Sequence, residues 1–479
     1  MTAGAGEPRE RLGHAAEAVL ESAWPGGSPA SAADVDRVLT YAPAALRTSD
    51  RDAANRLVAA LVWARYRAGL LEGALEIAES RLRSTGFTTK SLDAGDEHLL
   101  LAAATAFTAA GRSRRATPLA LRAIDHARLR GDDRVLYRAH SVLALSRALN
   151  GEYESAMQSI EECHRIENRH EWTATDASYP VLVAQNLCAA AQFDSDRLRD
   201  TARQLRELSP PDPAWDLTAR LTEAMALLID DQPNRAVPLV TAVMNSSDTH
   251  SLHGIVRGFA VGIYADLLLG RGEATRTLSF LEGYDSPRGH VLCFDMQRAA
   301  AHLLLGEDRR ALLTTEECAR LGGDHCMRTI PPVLFRRAVA YERLSQTRLA
   351  DASFEEGIHM VIESGSVTPL LTLPAEILHT LIDRLRLRVP SLSPELDRIQ
   401  ERWGDLPRVE GIIPLAALTP RERELATHLR SDKSFNELAQ DLHVSVHTLR
   451  SQAQSLYGKL SVRSREEAVA ALERAGYYV

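Results

Sequence analysis

The chain is short of cysteine, of aromatic residues and, above all, of lysine. Its five cysteines, Cys163, Cys188, Cys293, Cys318 and Cys326, are odd in number and include no C-x-x-C pair, which excludes a disulfide framework and fits a reducing compartment. His325 and Cys326 are adjacent instead of ligand-spaced; they read as a free thiol beside a surface histidine, and no metal is expected. No apolar run approaches the ~18 residues of a membrane span, and the N-terminal MTAGAGEPRERLGHAAE lacks the apolar core of a signal peptide. A cytoplasmic protein without membrane contact is expected. Phosphate-binding loops, dinucleotide fingerprints, nucleophile elbows and H-E-x-x-H pairs are all missing. The acidic pairs Glu161-Glu162, Glu316-Glu317 and Glu355-Glu356 are i,i+1 neighbours that do not share a helix face. Neither an enzyme nor a cofactor is expected. Lysine occurs only at Lys90, Lys433 and Lys459, so arginine supplies the other 53 of 56 basic residues, a bias that reflects GC-rich coding more than mechanism.

What is present is a helical palette. Hydrophobic residues make up 45% of the 479 residues and charged ones 25%, with 5 Trp, 11 Tyr and 9 Phe. Abundant Ala, Leu and Arg suit helices better than strands, so an all-α fold is predicted. Net charge is −8; any nucleic-acid site must therefore be a local basic patch.

A turn residue followed five positions later by alanine recurs along the chain. The pairs are Gly69 and Ala74, Gly111 and Ala116, Gly151 and Ala156, Asp231 and Ala236, Gly306 and Ala311, and Ser345 and Ala350. Gly270 and Ala274 form a shorter variant, and a degenerate copy is expected near Ala191 to Asp194 with its second helix starting at Arg197. Apolar residues on both sides follow helical spacing, for example Leu100, Leu101, Ala104 and Phe107 before Gly111. Each unit is thus a helical hairpin: the glycine permits a left-handed C-terminal cap and the alanine lets the helix backbones approach. Gly151 to Ala156 (GEYESA) resembles the inter-helix turn of a tetratricopeptide repeat. That resemblance implies a superhelix of about eight units over 36–385, with a concave surface for a protein or small-molecule effector whose contact residues are unknown. Residues 1–35 read as a tail and first helix, and 386–417, with four prolines, as a linker holding one short helix from Pro394 to Trp403.

Residues 418–479 carry a different signal. Thr419 to Glu422, Ser434 to Glu437 and Ser464 to Glu467 read as capping boxes, and Ser445 as a further N-cap. They predict four helices at 420–430, 435–442, 446–460 and 465–475. The turn Leu442-His443-Val444-Ser445 has the length used in a helix-turn-helix. On the third helix Val446, Leu449, Ala453, Leu456 and Leu460 form one face, expected to bury against Leu425, Leu429, Leu438 and Leu442. The opposite face shows His447, Arg450, Ser451, Gln454 and Gly458, small or hydrogen-bonding and free of acids, as a helix entering the major groove requires. Between Val444 and Arg465 there are four basic residues and no acid, a local +4. The module as a whole is +1, which leaves −9 for the preceding residues.

The segments Leu418 to Glu424 (LTPRERE), Glu437-Leu438-Ala439, Leu442 to Ser445, Thr448-Leu449-Arg450, Tyr457 to Leu460 and Val462 to Arg465 resemble the LuxR-type DNA-binding module without gaps. The resemblance implies double-stranded promoter DNA as partner, a homodimer reading two half-sites through the third helix, and RNA polymerase as a further partner. Carried over by position, His447, Arg450, Ser451 and Gln454 would contact bases, and Thr448, Lys459, Arg463 and Ser464 would hold phosphates. Asp432 and Ser461 stand where the family prefers glycine. Ser451-Gln452 replaces its usual Asn-His, and Phe435-Asn436 replaces Asn-Lys. The arrangement also resembles the C-terminal part of the large MalT-like regulators, without their P-loop ATPase. A transcriptional regulator is the expected function; the alternative is a repeat scaffold whose terminal module no longer binds DNA, which the altered Ser451 and Gln452 would permit.

Overall fold

The computed structural model describes residues 6–474 except 26, 29, 46–49, 86–93, 171, 173–176, 209–212, 231, 247–250, 287–289, 323–324, 406–419, 432 and 461. Among the described residues every regular element is helical. The first two helices are α1 (Gly6–Glu21) and α2 (Ala32–Ala45). Hairpins follow: α3 (Arg51–Arg67) with α4 (Leu71–Thr85), α5 (Ala94–Ala109) with α6 (Ser113–Arg130), α7 (Asp133–Asn150) with α8 (Tyr153–His170), and α9 (Tyr179–Ala191) with α10 (Ser195–Glu207). The series continues with α11 (Pro213–Ile229) and α12 (Pro233–Met244), α13 (Ser251–Gly270) and α14 (Ala274–Leu281), and α15 (Phe294–Leu304) and α16 (Asp308–Thr314). After the short α17 (Glu316–Leu321) come the last hairpin, α18 (Ile330–Arg343) with α19 (Thr347–Ser364), and then α20 (Ala375–Arg388) and α21 (Ser393–Asp405).

All eight hairpin turns are built alike. The N–H just beyond each turn residue donates to the carbonyl five residues back, as in Glu152 to Arg147, Asp194 to Ala189, Glu273 to Leu268 and Gln346 to Tyr341. This is the bond of a Schellman cap, and it requires a left-handed residue. Gly69, Gly111, Gly151, Gly272 and Gly306 supply it, as do Phe193 and Ser345 at φ 56° and 58°; Asp231 lies outside the described residues. Five positions later stands a fully packed side chain: Ala74, Ala116, Ala156, Leu198, Ala236, Thr277, Ala311 or Ala350, none more than 2% exposed.

This common geometry corrects the sequence reading in two units. The sixth turn uses Gly272 with Thr277, because Gly270 is still the last residue of α13 and Ala274 opens α14. In the fourth, Phe193 takes the left-handed position and Asp194 caps α10 by accepting from the Arg197 N–H at 3.0 Å, so the helix begins two residues before Arg197.

The edges of the stack also differ from expectation. Helix α1, the first helix expected within 1–35, is part of the packed stack: Leu12, Ala15, Val19 and Leu20 are buried in the same core as α3 and α5, and Arg134 of α7 reaches Glu21 at 2.6 Å and the Pro25 carbonyl at 3.2 Å. At the other end, α21 buries Leu396 and Ile399 in the core of α18 to α20. The expected linker is thus packed helix over 393–405, and its remainder, 406–417, lies outside the described residues.

Distant units also touch. Cys326 Sγ donates to the Leu149 carbonyl at 3.2 Å, the Met327 N–H reaches Asn150 Oδ1 at 3.4 Å, and Ser366 Oγ donates to the Ala191 carbonyl at 3.2 Å. A Cβ on Gly151 would lie 2.9 Å from the Arg328 backbone nitrogen. The segment before α18 therefore straps the third turn, and the segment after α19 straps the fourth. The stack curls back on itself around an interior space.

Candidate nucleic-acid interface

The last four helices are α22 (Pro420–Leu429), α23 (Phe435–Asp441), α24 (Val446–Lys459) and α25 (Arg465–Arg474), all within a residue or so of the predicted spans. Local chemistry sets these boundaries. Ser434 and Glu437 form a complete capping box, the Glu437 carboxylate accepting the Ser434 N–H at 2.8 Å and Ser434 Oγ accepting the Glu437 N–H at 3.3 Å. That contact holds the Glu437 carboxyl below the ordinary range. Ser445 accepts the Thr448 N–H at 3.0 Å at the start of α24. Ser464 accepts the Glu467 N–H at 3.1 Å, but here the Glu467 carboxylate takes the N–H of Arg463, one residue before the cap, at 2.7 Å. Thr419, of the first expected box, lies outside the described residues.

A small core fixes how α24 is presented. Leu425, Ala426, Leu429, Leu438, Ala439, Leu449, Ala453, Leu456, Ala468 and Leu472 are buried together, with Val446, Leu442 and Leu460 at its margin. Glu422 is 4% exposed, and its carboxylate accepts the Ser455 hydroxyl at 2.7 Å, pinning α22 to α24. Between α23 and α24, His443 sits at φ 51°, a conformation that costs a non-glycine residue about 1 kcal/mol.

With that face buried, His447, Arg450, Ser451, Gln454 and Gly458 are all exposed. Thr448 and Arg463 are exposed as well and Ser464 is half-buried; the Lys459 side chain lies outside the described residues. Arg450 and Arg463 have no ion-pair partner among the described residues. Thr448 Oγ1 lies 2.7 Å from Ser445 Oγ, and Ser464 is engaged as a cap, so both hydroxyls are held in place by the helix starts they serve.

The fourth basic residue of the expected patch turns inward. Arg465 donates to the Leu429 carbonyl at 2.9 Å, to the Lys433 carbonyl at 2.5 Å and to the Ser431 carbonyl. It caps the C-terminal end of α22, where carbonyls lack helix partners and a cation complements the dipole. The sequence count of +4 missed this, since a guanidinium binding three carbonyls of the 429–433 segment looks in sequence like any surface arginine. Lys433 is likewise occupied, 2.8 Å from Asp441, which raises its ammonium above the usual value.

Residues 416–472 match the family model described as bacterial regulatory proteins, luxR family. Over 59 residues the chain is 41% identical to the spore germination protein GerE of Bacillus subtilis, of which it covers 80%. The chain belongs to the LuxR family. A second similar protein is the probable HTH-type transcriptional regulator GfsR of Streptomyces halstedii, 43% identical over 56 residues; the chain spans 23% of its length, and each match takes 12% of this chain. Helices α23 and α24 thus form the helix-turn-helix of a LuxR-type module, with α24 as its second helix.

A second concave site lies inside the stack. Residues from Tyr153 to Pro369 line a cavity of about 410 Å³. Its walls are largely apolar, with Leu187, Leu221, Met225 and Phe259 among them. Asp266, Gln297 and Arg336 form a polar spot on one side, Gln297 Nε2 lying 3.4 Å from the Asp266 carboxylate. Enclosure by protein raises the Asp266 carboxyl to about 6 despite the Arg336 guanidinium that opposes the shift. Two Arg336 nitrogens, Nε and Nη1, are buried without a hydrogen-bond partner among the described residues. No helix of the described residues is long and apolar enough to cross a membrane.

Proposed function

We propose that the protein is a transcriptional regulator that binds duplex promoter DNA through α24, with the repeat stack sensing an effector. The observation that carries the reading is the exposed, acid-free stripe of His447, Arg450, Ser451 and Gln454 on a helix whose other face is locked in the module core. Such a stripe reaches base edges in the major groove, while Thr448, Arg463 and Ser464 flank it toward phosphates and Lys459 is a further phosphate contact by its position in the sequence. The module acts as a dimer on two half-sites about one helical turn apart, and RNA polymerase is its further partner.

The effector reading is supported by the cavity. An apolar chamber with one buried arginine and one carboxylate at its wall suits a small organic molecule with an apolar body and an anionic or hydrogen-bonding head. Occupancy would bear on the segments that close the stack, since Arg328 and Ser366 line the cavity.

The test uses the full chain and promoter fragments selected by genome-wide mapping of bound sites. Binding is expected to fall steeply with salt, because each neutralised phosphate releases counterions. Arg450→Ala should cost roughly 1–3 kcal/mol on the selected site and relax sequence choice, whereas Lys459→Ala should weaken all sequences alike. Absence of salt-sensitive binding to any mapped fragment would favour the scaffold alternative.

A further inference from the structure

Within the stack four metal-ligating side chains converge from three separate segments. His290 and Cys293 precede α15, Cys318 lies on α17, and His325 stands in the segment before α18. One ligand atom of each lies within 4.8 Å of all the others, and all four residues are buried. His325 is 1% exposed, so the histidine beside the free thiol of Cys326 is not the surface residue that the sequence suggests.

The distances have the size of a coordination tetrahedron. Zinc bonds of about 2.3 Å to sulfur and about 2.0 Å to nitrogen imply tetrahedral edges of roughly 3.8 Å between sulfurs and about 3.5 Å from sulfur to nitrogen. Cys293 Sγ lies 3.6 Å from Cys318 Sγ, and Cys318 Sγ lies 3.5 Å from His290 Nδ1. A disulfide would need the two sulfurs at about 2.05 Å.

The surroundings point the same way. His325 Nδ1 lies 3.1 Å from the Cys326 carbonyl, which only a protonated Nδ1 can bond. That tautomer leaves a lone pair on Nε2, and Nε2 is buried without a hydrogen-bond partner among the described residues. Burying such an acceptor unsatisfied is costly, and a metal ion removes that cost. Thr329 Oγ1 donates to the His290 carbonyl at 2.6 Å, fixing the backbone of a second ligand. His290 itself sits at φ 55°, the kind of strain that persists where the surroundings over-determine a functional position.

We propose that His290, Cys293, Cys318 and His325 bind one zinc ion in a closed, structural Cys2His2 site. Two thiolates and two neutral imidazoles suit zinc by softness and geometry, and four protein ligands leave no open position for catalysis. The ion ties the segment before α15 to the segment before α18, next to Cys326, Met327 and Arg328, which strap the third hairpin turn. Cys293 also lines the interior cavity. Zinc thereby holds shut the closure of the stack and one wall of its chamber.

The test is metal analysis of the full-length protein purified with micromolar zinc and dialysed. About one zinc per chain is expected, with X-ray absorption showing two sulfur neighbours at about 2.3 Å and two nitrogen neighbours at about 2.0 Å. Cobalt substituted for zinc should give a thiolate charge-transfer band and the intense visible bands of a tetrahedral site. Cys318→Ser and His325→Gln should each lower zinc content more than about tenfold. Because these variants could also misfold, the wild-type chain is stripped by chelator in parallel: its melting temperature should fall and recover on adding zinc. A helical, well-folded wild-type chain that retains less than about a tenth of an equivalent of zinc and shows no cobalt charge-transfer band would overturn the proposal. So would zinc bound without sulfur neighbours, or a Cys293–Cys318 disulfide as the native form in the reduced cell extract.

Discussion

The repeat stack and the LuxR-type module use the same residue, arginine, in opposite ways. In the stack many arginines are spent on internal pairing. Arg384 reaches Glu342 at 2.6 Å and Asp351 at 2.8 Å, while Arg112 and Arg115 share Glu79 at 2.9 and 2.5 Å. In the module Arg465 is consumed by backbone carbonyls, but Arg450 and Arg463 point outward with no ion-pair partner among the described residues. An arginine already paired with a carboxylate has little left for a phosphate; an unpaired one beside an acid-free helix face is available. Net charge hides this difference, because it counts residues and not their partners.

The largest effect is expected where the stack is tightest. Gly151→Ala forces a Cβ to 2.9 Å from the Arg328 backbone nitrogen, at a φ of 91°, and should destabilise the stack by about 2–4 kcal/mol. Hydrogen exchange should show the loss in the segments around α7, α8 and α18, with the module unchanged; equal loss in both regions would mean that stack and module unfold together. Next comes Arg465→Ala, which strips three carbonyls of their donor and should cost the module about 2–3 kcal/mol. Its decisive contrast is Arg450→Ala, which should leave thermal unfolding untouched while weakening DNA binding. If Arg450→Ala destabilised the module as much as Arg465→Ala, the outward arginine would be structural after all. The smallest effect is expected from His443→Gly, which relieves the φ of 51° and should stabilise the module by about 0.5–1 kcal/mol in chemical denaturation.

The module was legible because its information is local. Ser434, Ser445 and Ser464 act on N–H groups three residues away, and the buried Leu449, Ala453 and Leu456 recur at helical spacing, so neighbours in sequence disclose the contacts that matter. The turns of the stack were legible for the same reason wherever glycine took the left-handed position. Phe193 and Thr277 were missed because a bulky residue can occupy that conformation at a cost of about 1–2 kcal/mol, and because the packed slot five residues on accepts Leu198 or Thr277 as readily as alanine. The inward turn of Arg465 was missed for a further reason: its partners, Leu429, Ser431 and Lys433, lie more than thirty residues away.

Sequence alone therefore determined the all-α class, the hairpin period, the placement of the four terminal helices and the stripe on α24, all of which follow from caps, φ preferences and periodicity within a few residues. Only the tertiary structure decided that the stack closes on itself between Leu149 and Cys326, that it encloses a chamber carrying Asp266 and Arg336, and that His290, Cys293, Cys318 and His325 meet. The physical reason is distance along the chain. Residues 177 positions apart become hydrogen-bonded neighbours only after each small rotation from hairpin to hairpin has accumulated, and no local spacing records that sum.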